Sequence, residues 1–547
     1  MRLSSAVLAM AAILAPVVPS RILADDLLPA DSAVETVIDH YVDALLSADK
    51  VEPAAQVDDL NLLRRLMLDL AGRIPTTVEA KQFRDDQSQT KRQALVDQLL
   101  ASPDFAFHHR NELDRELLPD NPGDGDFRKY LLWAAQQNRP WNQMFEDMVV
   151  GDESDEYQKA GMQFLRTRVG SVDDLTNDTS ILFFGVNVSC AQCHDHPLAD
   201  DWKQDHYFGM QSFFSRTYLT KSKTLAEKFY GDVKFKTTKG VEKQARFMFL
   251  NGSVSDEPDR ALSDDERKKL DEEVKTLQKD DNAKPRKPDF SPRSELVKLA
   301  LNEEGASFFA RNIANRVWNR LFGQGIVHPP DQLHSGNPAS HPQLLKWLAR
   351  DLRTHGYDLK RLIRGIALSR AYSRSSRWES DSETPAAYYF ALAQPRILTP
   401  RQYSISLFIA SQNPPHWDQW ASKPPEDWAK EREKLEQRTD GWFRMFEPPT
   451  ANYQVPVDEA LLFSNSSQIQ DDLLRDSADR LLGHLKGIDD PSEAIDAAFW
   501  AIVSRPPTDV EKQSIREYLK SRTEDRSAAM KQVLWALISG PEVRFNY

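Results

Sequence analysis

The chain has 547 residues, 40% of them hydrophobic and 28% charged, with 12 Trp and 26 Phe. That composition excludes a disordered protein, and the length exceeds what one hydrophobic core usually serves. Lys and Arg number 70 against 83 Asp and Glu, a formal net charge of −13, and no long basic block offsets it, so nucleic-acid binding, which needs a cationic face to displace counterions, is excluded.

In chain order, Arg2 precedes an apolar run from Ala6 to Val18, then Pro19, Ser20 and the small Ala24. This pattern reads as a signal peptide over residues 1–24. No later stretch approaches roughly 18 uninterrupted apolar residues, so no polytopic membrane segment is expected. The mature chain is therefore expected to be exported, to the periplasm or cell envelope. Leu60, Leu63, Leu66, Met67 and Leu70 form a helical stripe that Gly72 ends, and Thr76 stands three residues before Glu79 at the capping-box spacing. Leu95, Leu99 and Leu100 continue the helical pattern up to Ser102-Pro103, where a further helix begins. Residues 25–220 thus read as an N-terminal helical domain.

Residues 221–292 change character. Val233–Thr237 and Arg246–Leu250 resemble short strands, Asn251-Gly252 a turn, and the mixed-charge stretch from Ser263 to Asp281 a solvated helix before a Lys/Pro-rich linker. Helical spacing resumes at Phe309, Ile313, Val317 and Leu321, stopped by Gly323. Pro342–His355 and Leu359–Ala371 then form a helix pair, with Gly356 ending the first and Asp358 capping the second. Further stripes follow from Leu461 onward. Residues 293–547 read as a C-terminal helical domain, and the fold class expected is mainly α, two helical domains with a small β-ribbon insertion between them.

The chemistry concentrates in Cys190-Ala-Gln-Cys193-His194, which holds both cysteines of the chain. Covalent haem c explains all three residues, each thiol adding to one vinyl group and the adjacent imidazole reaching the iron as proximal ligand. A Cys-x-x-Cys disulfide leaves His194 without a role. A third reading places zinc, or another metal, on the cysteines with His194, Asp195, His196 and His206. Under the haem reading the sixth ligand is open among Met162, His206, Met210, His108, His109 and Met248, and electron transfer is the function that follows. The alternative is a non-catalytic scaffold, whose cluster holds a structural metal or disulfide, with zinc or no cofactor.

Other candidates read as structural. His108-His109 is expected to be a surface pair, and Trp202, Trp318 and Trp347 to be core aromatics. The sequence has no Gly-x-Ser-x-Gly, phosphate loop, dinucleotide fingerprint or His-Glu-x-x-His. Whether the chain is an enzyme stays open at this point.

Leu63–Pro75, Phe184–Pro197 with its Cys-x-x-Cys-His-Asp-His-Pro, Trp202–Tyr207, Asn315–Gly323, His341–Ala349, His355–Lys360 and Ser369–Tyr372 together resemble a family of planctomycete secreted proteins. That family has two tandem domains of unknown function and is associated with planctomycete cytochrome c domains. The resemblance covers most of the mature chain and implies export. It also implies an exported protein partner, sulfatase- or phosphatase-like. The chain departs from the pattern at Phe107-His-His-Arg110, where relatives carry tryptophans, and at Leu198, where they carry Phe.

Overall fold

The structure, a computed structural model, describes residues 27–119, 124–196, 199–258, 262–302, 306–419, 423–446, 457–522 and 524–547. The expected signal peptide lies outside them. The fold is mainly α, and the strands among the described residues form only two-stranded antiparallel ribbons. No described helix is long and apolar enough to cross a membrane.

Helix ends follow short-range chemistry. Asp58 accepts from the amides of Leu60 and Asn61 to start the helix Asp59–Leu66, and Thr76 and Glu79 form the reciprocal capping box that starts Thr77–Asp85. Asp358 caps Leu359–Leu368 through the amide of Arg361, while Gly72 and Gly323 stop their helices at φ +66° and +80°. The last turn before Gly72, Met67–Ala71, is a wider π turn, and all five of its residues are buried. It carries Asp69 inward, where the carboxylate accepts from Tyr372 Oη at 2.7 Å, Arg396 Nη2 at 2.7 Å and Asn546 Nδ2 at 2.9 Å.

The β insertion differs from expectation in its pairing. Lys234–Lys236 pairs with Glu242–Gln244, and Phe247–Met248 turns at Asn251-Gly252 to pair with Val254–Ser255. The two anticipated strands therefore belong to separate hairpins. Two further ribbons are too short to show alternation, Thr217–Leu219 with Leu225–Glu227 and Arg396–Ile397 with Phe545–Asn546. The charged helix Asp264–Leu277 is solvated as expected, with Leu277 its single buried residue.

The hydrophobic core does not divide at the 292/293 boundary. One cluster runs from Val34 to Leu392 across the insertion and takes in Trp500, and a second gathers other buried residues from Leu398 to Val543. Leu68 and Ile74 reach from the N-terminal helices into the second cluster. The chain's end is tied back beside them, with Arg65 Nε donating to the Tyr547 carbonyl at 3.2 Å and Arg64 Nη2 to the Glu542 carbonyl at 2.8 Å.

Candidate functional site

The helix Val172–Phe184 leads to the motif and ends at Gly185, φ +69°. A Cβ there would stand 2.4 Å from Leu333 Cδ1 and 2.7 Å from Asn312 Oδ1, so the position admits glycine on both conformational and packing grounds. Leu333 N donates to the Gly185 carbonyl at 2.9 Å and Asn187 N to the Asp331 carbonyl at 3.1 Å. These bonds clip a loop from the C-terminal half beside the motif. Asn187 Oδ1 then accepts from Ser189 N at 3.1 Å and Ser189 Oγ at 2.6 Å, launching the 3-10 turn Ser189–Gln192.

Ala191 is the inward residue of that turn, whereas Cys190 and Cys193 are exposed and unpaired. Cys190 lies within the 3-10 turn and Cys193 directly follows it, three positions on, about one 3-10 turn of spacing. The turn is braced from behind. Asp173 accepts from Tyr207 Oη at 2.6 Å, Gln211 Nε2 at 2.8 Å and Gln192 Nε2 at 3.2 Å. Gln204 Nε2 donates to the carbonyls of Gln192 and Cys193, both at 3.3 Å. Burial and Asp173 push the Tyr207 phenol far above its ordinary value, so it stays a neutral donor.

Hydrogen bonding sorts the three histidines proposed as ligands. His194 is exposed, and its Nδ1 lies 2.7 Å from the Asp195 carbonyl. A carbonyl only accepts, so Nδ1 carries the proton and Nε2 keeps the lone pair, the arrangement in which a histidine ligates a metal. His196 and His206 are the opposite tautomers: Nδ1 of His196 accepts from Ala199 N, and Nδ1 of His206 from Lys203 N, both at 3.1 Å. Their Nδ1 lone pairs are spent on backbone amides, and the neutral ring then carries its proton on Nε2. Burial lowers both pKa values, that of His196 further through His334 and His194. Among the described residues no three His, Cys, Asp or Glu side chains converge in a group able to hold a metal ion. The structure therefore does not bring His194, His196 and His206 together as the zinc reading requires.

His334 was not singled out from sequence. Its ring centroid lies 6.2 Å from that of His196, its Nδ1 is buried without a hydrogen-bond partner, and its neighbour Ser335 is fixed by Asp201. Nothing in local spacing could have placed it there. The other ligand candidates sit elsewhere: Met162 and Met210 are buried in the first core cluster, and Met248 pairs in a ribbon. His108 and His109 are not a surface pair but are 5% and 7% exposed. Their helix, Pro103–Leu117, is buried through its polar residues because arginines and carboxylates compensate one another around it. Trp202, Trp318 and Trp347 are core residues as expected.

No curated protein and no solved structure matches the chain. Residues 37–218 match the PSCyt2 family, described as a protein of unknown function (DUF1549), and residues 292–451 match the PSD1 family, described as a protein of unknown function (DUF1553). The chain thus carries these two regions of unknown function in tandem, with the Cys190–His194 turn inside the first and His334 inside the second.

Proposed function

We propose that this chain is an exported c-type haem protein of the periplasm or cell envelope that transfers electrons. Cys190 and Cys193 would hold haem c through thioethers, and Nε2 of His194 would be the proximal ligand. The observation that carries this reading is the His194 Nδ1 bond to the Asp195 carbonyl directly beside two unpaired, exposed thiols. The donor set fits: two free, exposed thiols three residues apart and an adjacent imidazole in the ligating tautomer. Bound there, haem supplies a one-electron redox couple.

The chain's own residues do the positioning. Asp173 and Gln204 fix the turn that displays the thiols, and the Asp195 carbonyl holds the proton of His194 on Nδ1. The signal-peptide reading of residues 1–24 supports export, which brings the chain to the side of the membrane where thioether attachment occurs. An exported protein, sulfatase- or phosphatase-like, is the partner proposed from the family resemblance.

The test is expression in a host with haem-maturation machinery, followed by a pyridine haemochrome spectrum and an intact mass. One covalent haem is expected, lost when both cysteines are replaced by serine. A colourless protein with free, disulfide-linked or zinc-bound thiols overturns the proposal.

A further inference from the structure

A second site, independent of the thiol turn, lies where the helix Pro103–Leu117 faces the helix Pro425–Phe443. A cleft of about 570 Å³ opens there, of a size that takes a small molecule. Arginines outnumber carboxylates by one along its walls. Burial pushes His108, which also lines it, down to about 4, so that ring adds no charge at neutral pH.

The charge pairing inside the cleft is uneven. Glu436 receives Arg110 Nη2 in a close ion pair, Asn111 Nδ2 at 2.9 Å and Arg128 Nη2 at 3.4 Å. Arg432, on the same helix, is 0% exposed, and none of its Nε, Nη1 and Nη2 atoms has a hydrogen-bond partner. Its nearest carboxylate oxygens are Asp104 Oδ1 at 3.4 Å from Nε and Glu436 Oε1 at 3.6 Å from Nη2. Asp104 is held by Arg73 Nε through its other oxygen, Oδ2, at 2.9 Å, and its Oδ1, which faces Arg432, makes no hydrogen bond either. A buried guanidinium that makes no hydrogen bond is costly, and the Glu436 carboxylate that lies 3.6 Å from it is shared with Arg110 and Arg128.

We propose that the cleft binds a small oxyanion group, a carboxylate, sulfate or phosphate, which takes the place of Glu436 on Arg110 and Arg128 and lets Glu436 turn to Arg432. The exchange conserves pairing: the incoming anion satisfies the outer arginines, and the released carboxylate satisfies the buried one. Arg401, which donates to Asp440 at 2.6 Å and to the Glu436 carbonyl at 3.2 Å, stands at the rim as a further contact for the anion.

The experiment is calorimetry and thermal melting of the full chain with sulfate, phosphate and acetate, against chloride at matched ionic strength. Saturable binding of at least one oxyanion is expected. Acetate alone would identify a carboxylate ligand, and sulfate or phosphate alone a tetrahedral one. Glu436→Gln removes the internal competitor and is expected to tighten binding about tenfold, with a larger anion-induced rise in melting temperature than wild type shows. Arg401→Gln is expected to weaken binding several-fold while leaving the far-UV spectrum unchanged, which keeps the test decisive if Glu436→Gln does not fold. No saturable oxyanion effect beyond chloride in wild type, or Glu436→Gln binding no tighter, overturns the proposal.

Discussion

Replacing Asp69 by Asn removes one charge and almost no volume, at the point where four distant parts of the chain meet. The Asp69 side chain is 3% exposed and accepts from Tyr372, Arg396 and Asn546. Breaking a buried ion pair by removing one partner costs about 3–5 kcal/mol, because the other charge stays buried and uncompensated. Arg396 is not wholly stranded: its Nη1 still donates to the Arg320 carbonyl at 2.7 Å, and its side chain is 20% exposed. The lower end of the range applies, about 3 kcal/mol, a shift of roughly 150-fold in the folded-to-unfolded ratio. Urea unfolding followed by tryptophan fluorescence and far-UV circular dichroism reads this. Asp69→Asn combined with Arg396→Met should be less destabilised than the sum of the single variants, by about 1–3 kcal/mol of coupling. A loss below about 0.5 kcal/mol for Asp69→Asn, or strict additivity, would refute the claim that this pair fastens the C-terminal ribbon to the N-terminal helices.

Two other consequences are measurable. Burial, with Arg374 adding to it, pushes His341 from 6.5 down to about 3. The unfolded chain therefore binds a proton that the native state refuses as pH falls from 6.5 toward 3, and stability drops by about 1.4 kcal/mol per pH unit for this one histidine. His341→Gln should flatten the stability profile by that slope within this window and leave it unchanged above pH 7. An unaltered slope counts against a neutral buried imidazole. Gly185→Ala should cost about 2–4 kcal/mol from left-handed backbone strain and the clash with Leu333. It should also speed hydrogen exchange at the Leu333 amide, and a cost under about 1 kcal/mol would mean that the loop yields freely.

What could be read from sequence was carried by neighbouring residues. Thr76 with Glu79, Asp358, Gly72 and Gly323 each act within a turn or two of their own position, and each behaves as its local chemistry dictates. The Cys190-Ala-Gln-Cys193-His194 motif could be singled out for the same reason, because its residues stand within one stretch of five. The Pro103–Leu117 helix was misread at His108 and His109 because polarity suggests solvent, whereas its polar groups are buried against partners from far along the chain, such as Glu436. Periodicity records which residues are apolar, not which charges will be compensated. His334 and Arg432 were invisible on the same ground, since their surroundings exist only once the two halves of the chain are packed together.

The candidate haem turn shows both kinds of information acting on one residue. The tautomer of His194 is set by the carbonyl of the very next residue, so it survives any change that leaves the turn itself intact. The turn's placement depends instead on Asp173, on Gln204 and on the loop clipped to Gly185 and Asn187 from the C-terminal half. The tautomer of His194 is therefore a local property, while the placement of the motif is a property of the whole fold. Damage to the 331–333 clip should alter how the thiols are displayed without altering which nitrogen of His194 carries the lone pair. The exposed motif can in this way be both short in sequence and dependent on both halves of the chain, which gives a physical reason for the two regions of unknown function to be joined in one polypeptide.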